Sequence, residues 1–321
     1  MGYQARHTRY ESGAASHGDG VRRDAVKRPC SGRRRLLPVL VIVVGVLMCL
    51  APIATDLYFR LTTESEVTQM TDTAGTVPSE EKERLLAQAR AYNARLGGYV
   101  DETAAGVTDI LPYEEQLSLN GEEAMGWIEI PRANIQMKVY HGVGEPALSA
   151  GVGHQPETSL PVGGARSQCF LTGHSGMQQH RIFDGIRALE AGDVFAVHIL
   201  DEVFAYRVTS WEILDPGSVD VTPQDGDRCT LVTCTTTPDA LNPKGRIGVN
   251  DKRLLVYGER CEYDPAEFEQ TQPDVSAYVN DNTRPALVGA CLILAFAAML
   301  LIGRWMRRTG RGGSADRAEE R

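Results

Sequence analysis

Apolar residues in this chain follow three different patterns. Two long runs carry no charge: Leu36 to Ala54, 19 residues, and Ala286 to Ile302, 17 residues. At ~1.5 Å per residue each crosses, or nearly crosses, a hydrocarbon core of roughly 30 Å, which predicts membrane-spanning helices over 36–54 and 286–303. From Ser79, a candidate N-cap, the apolar positions Leu85, Ala89, Tyr92 and Leu96 keep helical spacing, and Gly97-Gly98 is the stop signal. From Met125 the pattern changes to short runs rich in β-branched and aromatic residues. These are Trp127–Ile130, Gln136–Tyr140, Cys169–Thr172, Val194–Leu200, Val203–Ile213, Thr230–Thr233 and Arg253–Tyr257, parted by Gly, Pro, Asn and Asp. One short helix, about Ile182 to Leu189, carries Ile182, Ile186 and Leu189 on one face. So many short strands point to a mainly β fold closed into a barrel, which leaves no unpaired edge.

The remaining segments divide the chain as follows. Residues 1–35 form a basic tail, 36–54 a membrane helix and 55–78 a Thr/Glu-rich stalk without periodicity. A helical appendage covers 79–124, its second half irregular, and the β domain covers 125–261. A polar linker, 262–285, leads to the second membrane helix, 286–303, and to a basic tail, 304–321.

Charge refines this map. The 321-residue chain has a formal net charge of −9, unevenly spread. Residues 1–35 hold nine Lys/Arg against three acids, and residues 304–321 hold six Arg against three acids. Positive flanks stay inside, so both termini are expected in the cytoplasm and residues 57–284 outside, a two-pass cell-membrane protein. The span 55–303 then carries 18 basic and 36 acidic residues, a net charge of −18 that disfavours nucleic acid as a partner. A cleaved signal peptide is the alternative for the first run. Its length and the poor exit Cys49-Leu50-Ala51 favour an uncleaved anchor.

Four of the seven cysteines fall in the outer segment: Cys169, Cys229, Cys234 and Cys261. None has a Cys-x-x-Cys spacing, so no structural metal site is expected. Cys234 lies in Thr-Leu-Val-Thr-Cys-Thr-Thr-Thr, where an apolar strand runs out into hydroxyl residues, a setting that presents a thiol at a barrel rim. Such a cysteine is either a nucleophile, needing a cation nearby and an acid for the leaving amine, or half of a disulfide. Among the outer histidines, His198 in mid-strand and His154 in a Gly-rich stretch read as structural, and His141 and His180 sit beside loops. His174 differs: it follows an apolar run in Thr-Gly-His-Ser-Gly, where Gly173 and Gly176 allow a sharp turn. Arg253 opens the last apolar strand, with Arg246 and Lys244 as rival cations.

Taken together, Thr-Gly-His-Ser-Gly (172–176), Thr-Leu-Val-Thr-Cys-Thr (230–235) and Gly-Val-Asn-Asp-Lys-Arg-Leu-Leu-Val-Tyr-Gly-Glu-Arg (248–260) resemble a sortase, most closely the class C, pilin-polymerising type. Met-Gly-Trp-Ile-Glu-Ile-Pro (125–131), Thr-Ser-Leu-Pro-Val-Gly-Gly (158–164) and the two flanking apolar runs extend the resemblance over roughly residues 80–260. It implies a sortase-type β-barrel with Cys234 as nucleophile on the Thr–Gly carbonyl of an LPxTG-like sorting signal. It further implies His174 as general acid and then base, and Arg253 as substrate clamp and oxyanion stabiliser. A pilin lysine would resolve the thioacyl enzyme, without metal or organic cofactor.

Two features depart from the family pattern. The connection from Cys234 to Arg253 is long, 19 positions, with Pro-Asp-Ala-Leu-Asn-Pro-Lys-Gly-Arg as an apparent insertion. Residues 98–124 also lack the Asp-Pro-aromatic lid of class C enzymes, leaving Asp109-Ile-Leu-Pro-Tyr113 as a possible cover for the cleft. Cys169 precedes His174 by five residues, as Cys229 precedes Cys234. In register on the neighbouring parallel strands of a sortase barrel, the two thiols would meet on the face opposite the catalytic pair, as a disulfide or as two small buried thiols. Three functions remain open: pilus assembly, attachment of surface proteins to a cell-wall precursor amine, and a catalytically silent adhesion or scaffold domain.

Overall fold

Alternating burial along the strands closes the β segment on itself. The computed structural model describes residues 32–119, 123–176, 182–247 and 251–274, with a few isolated helical positions between 289 and 303. Contacts separate Met1–Val41 from Ile42–Arg321. Of the first unit only helical residues 32–41 are described, and the architecture below belongs to the second.

Eight strands form the barrel, β1 Ala124–Ile130, β2 Ile135–His141, β3 Val152–His154, β4 Arg166–Gly173, β5 Val194–Ile199, β6 Glu202–Leu214, β7 Gly226–Thr235 and β8 Lys252–Cys261. They close in the order β1-β2-β3-β4-β7-β8-β6-β5. The pairs β2–β3 and β4–β7 are parallel and the others antiparallel. The interior is filled by inward residues such as Ile128, Val139, Leu171, Phe195, Leu231 and Val256, all fully buried. The expected closed, mainly β barrel is thus present. Its unforeseen member, β3, is only three residues long and contains Gly153, too little for a period-2 signal.

The helices depart further from the sequence reading. A single helix, α1, runs from Gly32 to Thr76, so the segment expected as an aperiodic stalk is helical almost to its end. Val67, Met70 and Ala74 supply the reason: spaced by three and four, they bury one face. Among the described residues no helix is long and apolar enough to cross a membrane. The second expected span, 286–303, lies outside the described residues except for isolated positions. Helix α2 covers Ser79–Gly97 and ends where Gly98 takes the left-handed conformation, as anticipated. Its N-cap is Pro78, with no side-chain capping bond, so Ser79 is the first helical residue and not the cap. Leu96 is exposed, and the buried stripe instead includes Leu86 and Asn93. The short helix α3, Glu145–Ala150, joins β2 to β3. The polar linker after β8 also folds, as α4, Pro265–Gln270, which packs Phe268 against Val194, Ala196 and Ala205.

Two features fasten the helices to the barrel. In the β5–β6 turn Leu200 adopts φ 57°, a strained conformation for a branched residue, and its side chain packs with Ala74, Leu85 and Leu119 from the helical segment. Asn93 is fully buried and makes three bonds to the 160–163 loop. Its Nδ2 donates to the carbonyls of Leu160 (2.9 Å) and Gly163 (3.0 Å), and its Oδ1 accepts from the Leu160 amide (2.7 Å).

At the start of β4 and β7 the barrel closes over polar groups. Tyr206 donates to Asp227 at 3.4 Å, and burial pushes the Asp227 carboxyl up from 3.8 to about 6, against the lowering pull of Arg260 and the Gly164 amide.

Truncating Asn93→Ala strands three backbone groups, and unfolding in urea followed by tryptophan fluorescence is expected to show a loss of roughly 2–4 kcal/mol. A carboxyl whose pKa is raised by folding binds its proton more tightly in the native state. Between about pH 4 and pH 6 stability therefore falls as pH rises, by up to about 3 kcal/mol relative to the Asp227→Asn variant, measured by the same titration across that window.

Candidate functional site

Strand register decides which side chains meet at the far end of β4, β7 and β8. Strands β4 and β7 pair in parallel from Arg166↔Gly226 to Gly173↔Thr233, and the Thr233 hydroxyl donates to the Gly173 carbonyl at 2.8 Å. His174 and Cys234 are the next residues of the two chains. Antiparallel β8 sets Arg253 directly opposite Cys234. Directly opposed residues present their side chains to the same face, ~4.5–5.5 Å apart at the backbone. The three candidates chosen from sequence therefore share one rim.

Parity sends Cys234 outward. Cys169, Leu171, Cys229, Leu231, Leu254 and Val256 belong to the interior core. Their alternates Phe170, Val232 and Leu255 form a separate apolar patch with Leu214, Val219 and Val221 on the outer face. Cys234 has the parity of Val232 and is partly exposed.

The loop bearing His174 is held from below. Gly173 is required by close approach, since a Cβ there would meet the Phe183 ring at 2.5 Å. The turn itself is made by Gly176, at φ 82°. The Phe183 amide donates to the His174 carbonyl at 2.9 Å, and the Gly176 amide to Asp184 Oδ1 at 2.8 Å. These bonds come from the Ile182–Leu189 segment, which is a tight 3-10 turn over Asp184–Ala188 instead of an α-helix, with Ile182, Ile186 and Leu189 fully buried as expected. His174 Nε2 also lies 3.7 Å from Glu145, whose side chain is mostly in solvent.

Two residues unassigned by the sequence reading belong to this end. Arg187 Nη2 donates to the Cys234 carbonyl at 2.6 Å and to Ser175 Oγ at 3.2 Å. Burial lowers its pKa, against the raising influence of Asp184 and Cys234. Lys244, considered as a rival cation, is buried and turned away to the carbonyls of Arg187 and Leu189. Arg246, the other rival, pairs with Asp239 at 2.8 Å. A lone Arg or Lys in a loop carries no sequence signal for either position.

The other histidines serve the framework. His154 is fully buried, and burial pushes it down to about 4, so it is neutral near pH 7. Its Nε2–H donates to the Ser159 carbonyl, which leaves Nδ1 to accept from Tyr113. His141 has both ring nitrogens engaged, with the carbonyls of Glu123 and Gln116, and so is more constrained than its loop position suggests. His198 stacks on Trp127 at 3.7 Å. His180 lies outside the described residues. Asp109–Tyr113, the stretch available to cover the cleft, is tied to Gln88 at one end. At the other, Tyr113 accepts from the Gly142 amide and meets His154.

The remaining cysteines sit apart. Cys169 and Cys229 are register partners, fully buried free thiols in contact inside the barrel. Burial and the neighbouring Cys229 raise Cys169 well above the ordinary thiol range. Cys261 is a partly buried free thiol at the end of β8, its pKa raised chiefly by burial. Among the described residues no group of His, Cys, Asp and Glu is arranged to hold a metal ion.

A cysteine, an imidazole and a guanidinium on one barrel rim are the groups that thiol-dependent acyl transfer uses. Residues 128–261 match the Sortase domain model. Sortase D of Bacillus subtilis (strain 168) is 25% identical over 138 residues, 43% of this chain and 64% of that relative's length. The structure of Clostridium perfringens sortase C with the C-terminal cell wall sorting motif is 32% identical. It superposes with a TM-score of 0.51 over 62% of this chain and 99% of its own. The Streptococcus pneumoniae sortase C, solved with insights into catalysis and pilin substrate specificity, is 31% identical with a TM-score of 0.52, over 62% of this chain and 97% of its own. The chain belongs to the sortase family, and class C sortases are among its structural neighbours.

Alkylation of the native chain, mapped by mass spectrometry, is expected to modify Cys234 readily and to spare Cys169 and Cys229 until denaturant is added. Equal labelling of all three would contradict the placement of that pair inside the barrel.

Proposed function

We propose that this chain is a membrane-tethered cysteine transpeptidase of the class C type, joining pilin subunits through an LPxTG-like sorting signal. The observation that carries this reading is the shared rim: Cys234 opposite Arg253, with His174 one step beyond the Gly173↔Thr233 pair.

In this scheme the Cys234 sulfur attacks the Thr–Gly carbonyl, and the oxyanion that develops is met by the Arg253 guanidinium. The tetrahedral adduct collapses to a thioester as His174 passes the proton released by the Cys234 thiol to the departing glycine amine. A lysine amine of the next pilin then attacks the thioester. His174 takes its proton, the Thr–Lys amide forms and the thiol is restored, so one amide is exchanged for another. Arg253 suits its role because the donors of a guanidinium are fixed in a fork. The cluster of Phe170, Val232 and Leu255, covered by Leu214, Val219 and Val221, gives the strand that carries Cys234 a firm apolar backing. Tethering is supported by the charge-free run from Leu36 to Ala54 behind Arg33, Arg34 and Arg35. Val43, Val44, Val46 and Leu47 also stand exposed on α1, as side chains facing lipid would.

The test uses purified chain, an LPxTG-type peptide and a pilin-derived lysine peptide. Mass spectrometry is expected to find a thioester on Cys234 and a Thr–Lys crosslink in the product. Cys234→Ala should abolish both, and Arg253→Lys should lower kcat by about 10²-fold or more. Continued crosslinking by the Cys234→Ala chain defeats the reading, whereas a crosslink to a cell-wall precursor amine in place of lysine redirects it to surface-protein attachment.

A further inference from the structure

The β4–β7 ladder stops one residue short of the chemistry. Its last register pair is Gly173↔Thr233, so His174 and Cys234 are not themselves paired across the two strands. Acyl transfer needs an imidazole and a sulfur held on one carbon to within a fraction of an ångström.

A ring of hydrogen bonds begins where the ladder ends. The Arg187 side chain donates to the carbonyl of Cys234 at 2.6 Å and to the hydroxyl of Ser175, the neighbour of His174, at 3.2 Å. One guanidinium thus spans both catalytic loops. The carbonyl of Arg187 in turn accepts from Lys244 Nζ at 3.1 Å. The backbone carbonyl of Lys244 accepts from the hydroxyl of Thr235, the residue after Cys234, at 2.8 Å. The circuit therefore returns to its starting strand.

Both cations occupy costly positions. Lys244 is 6% exposed. Its ammonium is bound also by the Leu189 carbonyl and by Glu190 at 2.7 Å, and it lies 5.0 Å from the centre of the Trp211 ring. Arg187 keeps a buried Nε–H without an acceptor among the described residues. Burying two positive groups, one with an unmet donor, is unfavourable unless the geometry they impose is useful. Lys244 stands in the long Cys234-to-Arg253 connection, which gives that insertion a task.

We propose that Arg187 and Lys244 form a positioning brace that takes over where the paired register ends, holding Cys234 at its working distance from His174 and setting the rate of acyl transfer without contributing to substrate binding. The rate assignment rests on the transpeptidase reading above; the brace itself does not.

Two measurements on the full chain decide it. In steady-state cleavage of an LPxTG-type peptide, Lys244→Met and Arg187→Met are each expected to lower kcat ~10- to 100-fold with KM changed by less than about threefold. Arg187→Lys keeps the charge and one of the two donations, and should lie between these and the wild type. The double variant should be no slower than the worse single one, because both residues act through one ring. Losses that multiply, or a raised KM at unchanged kcat, overturn the proposal. The second measurement, amide hydrogen exchange, needs no activity. Lys244→Met should lose protection at residues 235–236 and 244–246 together while the middle of β8 keeps its own. Unchanged protection at 235–236 overturns the brace, whereas a wild-type chain that exchanges as described but cleaves no sorting peptide rejects only the transpeptidase reading.

Discussion

The parallel pairing of β4 with β7 is the constraint from which the rest follows. Side chains in a strand alternate with a strict period of two, so a slip of one residue would turn Cys234 into the core and push Cys229 out. The slip is opposed on both faces at once, by Leu171 and Leu231 inside and by Phe170 and Val232 outside. Parallel neighbours need a long crossover, and here it includes the Asp184–Ala188 turn and the β5–β6 hairpin. The same turn then returns Arg187 to the strand ends it helped to separate.

The two ends of this strand pair have different work. Where β4 and β7 begin, the helical appendage shuts the barrel: Asn93 binds the 160–163 loop, and Gly97 lies so close to the Arg166 carbonyl that a Cβ would meet it at 2.9 Å. Where they finish, Cys234 is met by Arg253 of β8 and by Arg187 of the Asp184–Ala188 turn, and Glu145 of α3 approaches His174. The helical contacts are concentrated at one end and the candidate site at the other, a separation that lets the loops there vary without unsettling the core.

Much of this could be read from the chain. The barrel was legible because β-branched alternation survives in every strand long enough to show it, and the three candidate residues at its rim because each stands in a short, distinctive run. What escaped the reading has physical causes. The helical end of α1 is rich in Thr, whose modest helix propensity conceals the apolar spacing of Val67, Met70 and Ala74. Ser79 has the chemistry of a cap but lies one residue too far along. The partnership of Arg187 with Cys234 links positions 47 apart in sequence, and long-range contacts of single charged residues leave no local periodicity to detect.

The odd spacing of five residues between Cys169 and His174, and between Cys229 and Cys234, has a chemical consequence. It puts the wall of the barrel between the spare sulfurs and the exposed one. A partly exposed thiol is ordinarily open to capture by a neighbouring cysteine, yet these two strands keep Cys169 and Cys229 out of reach of Cys234. Walled in together, Cys169 and Cys229 have each other as partners, and Cys234 faces the opposite way.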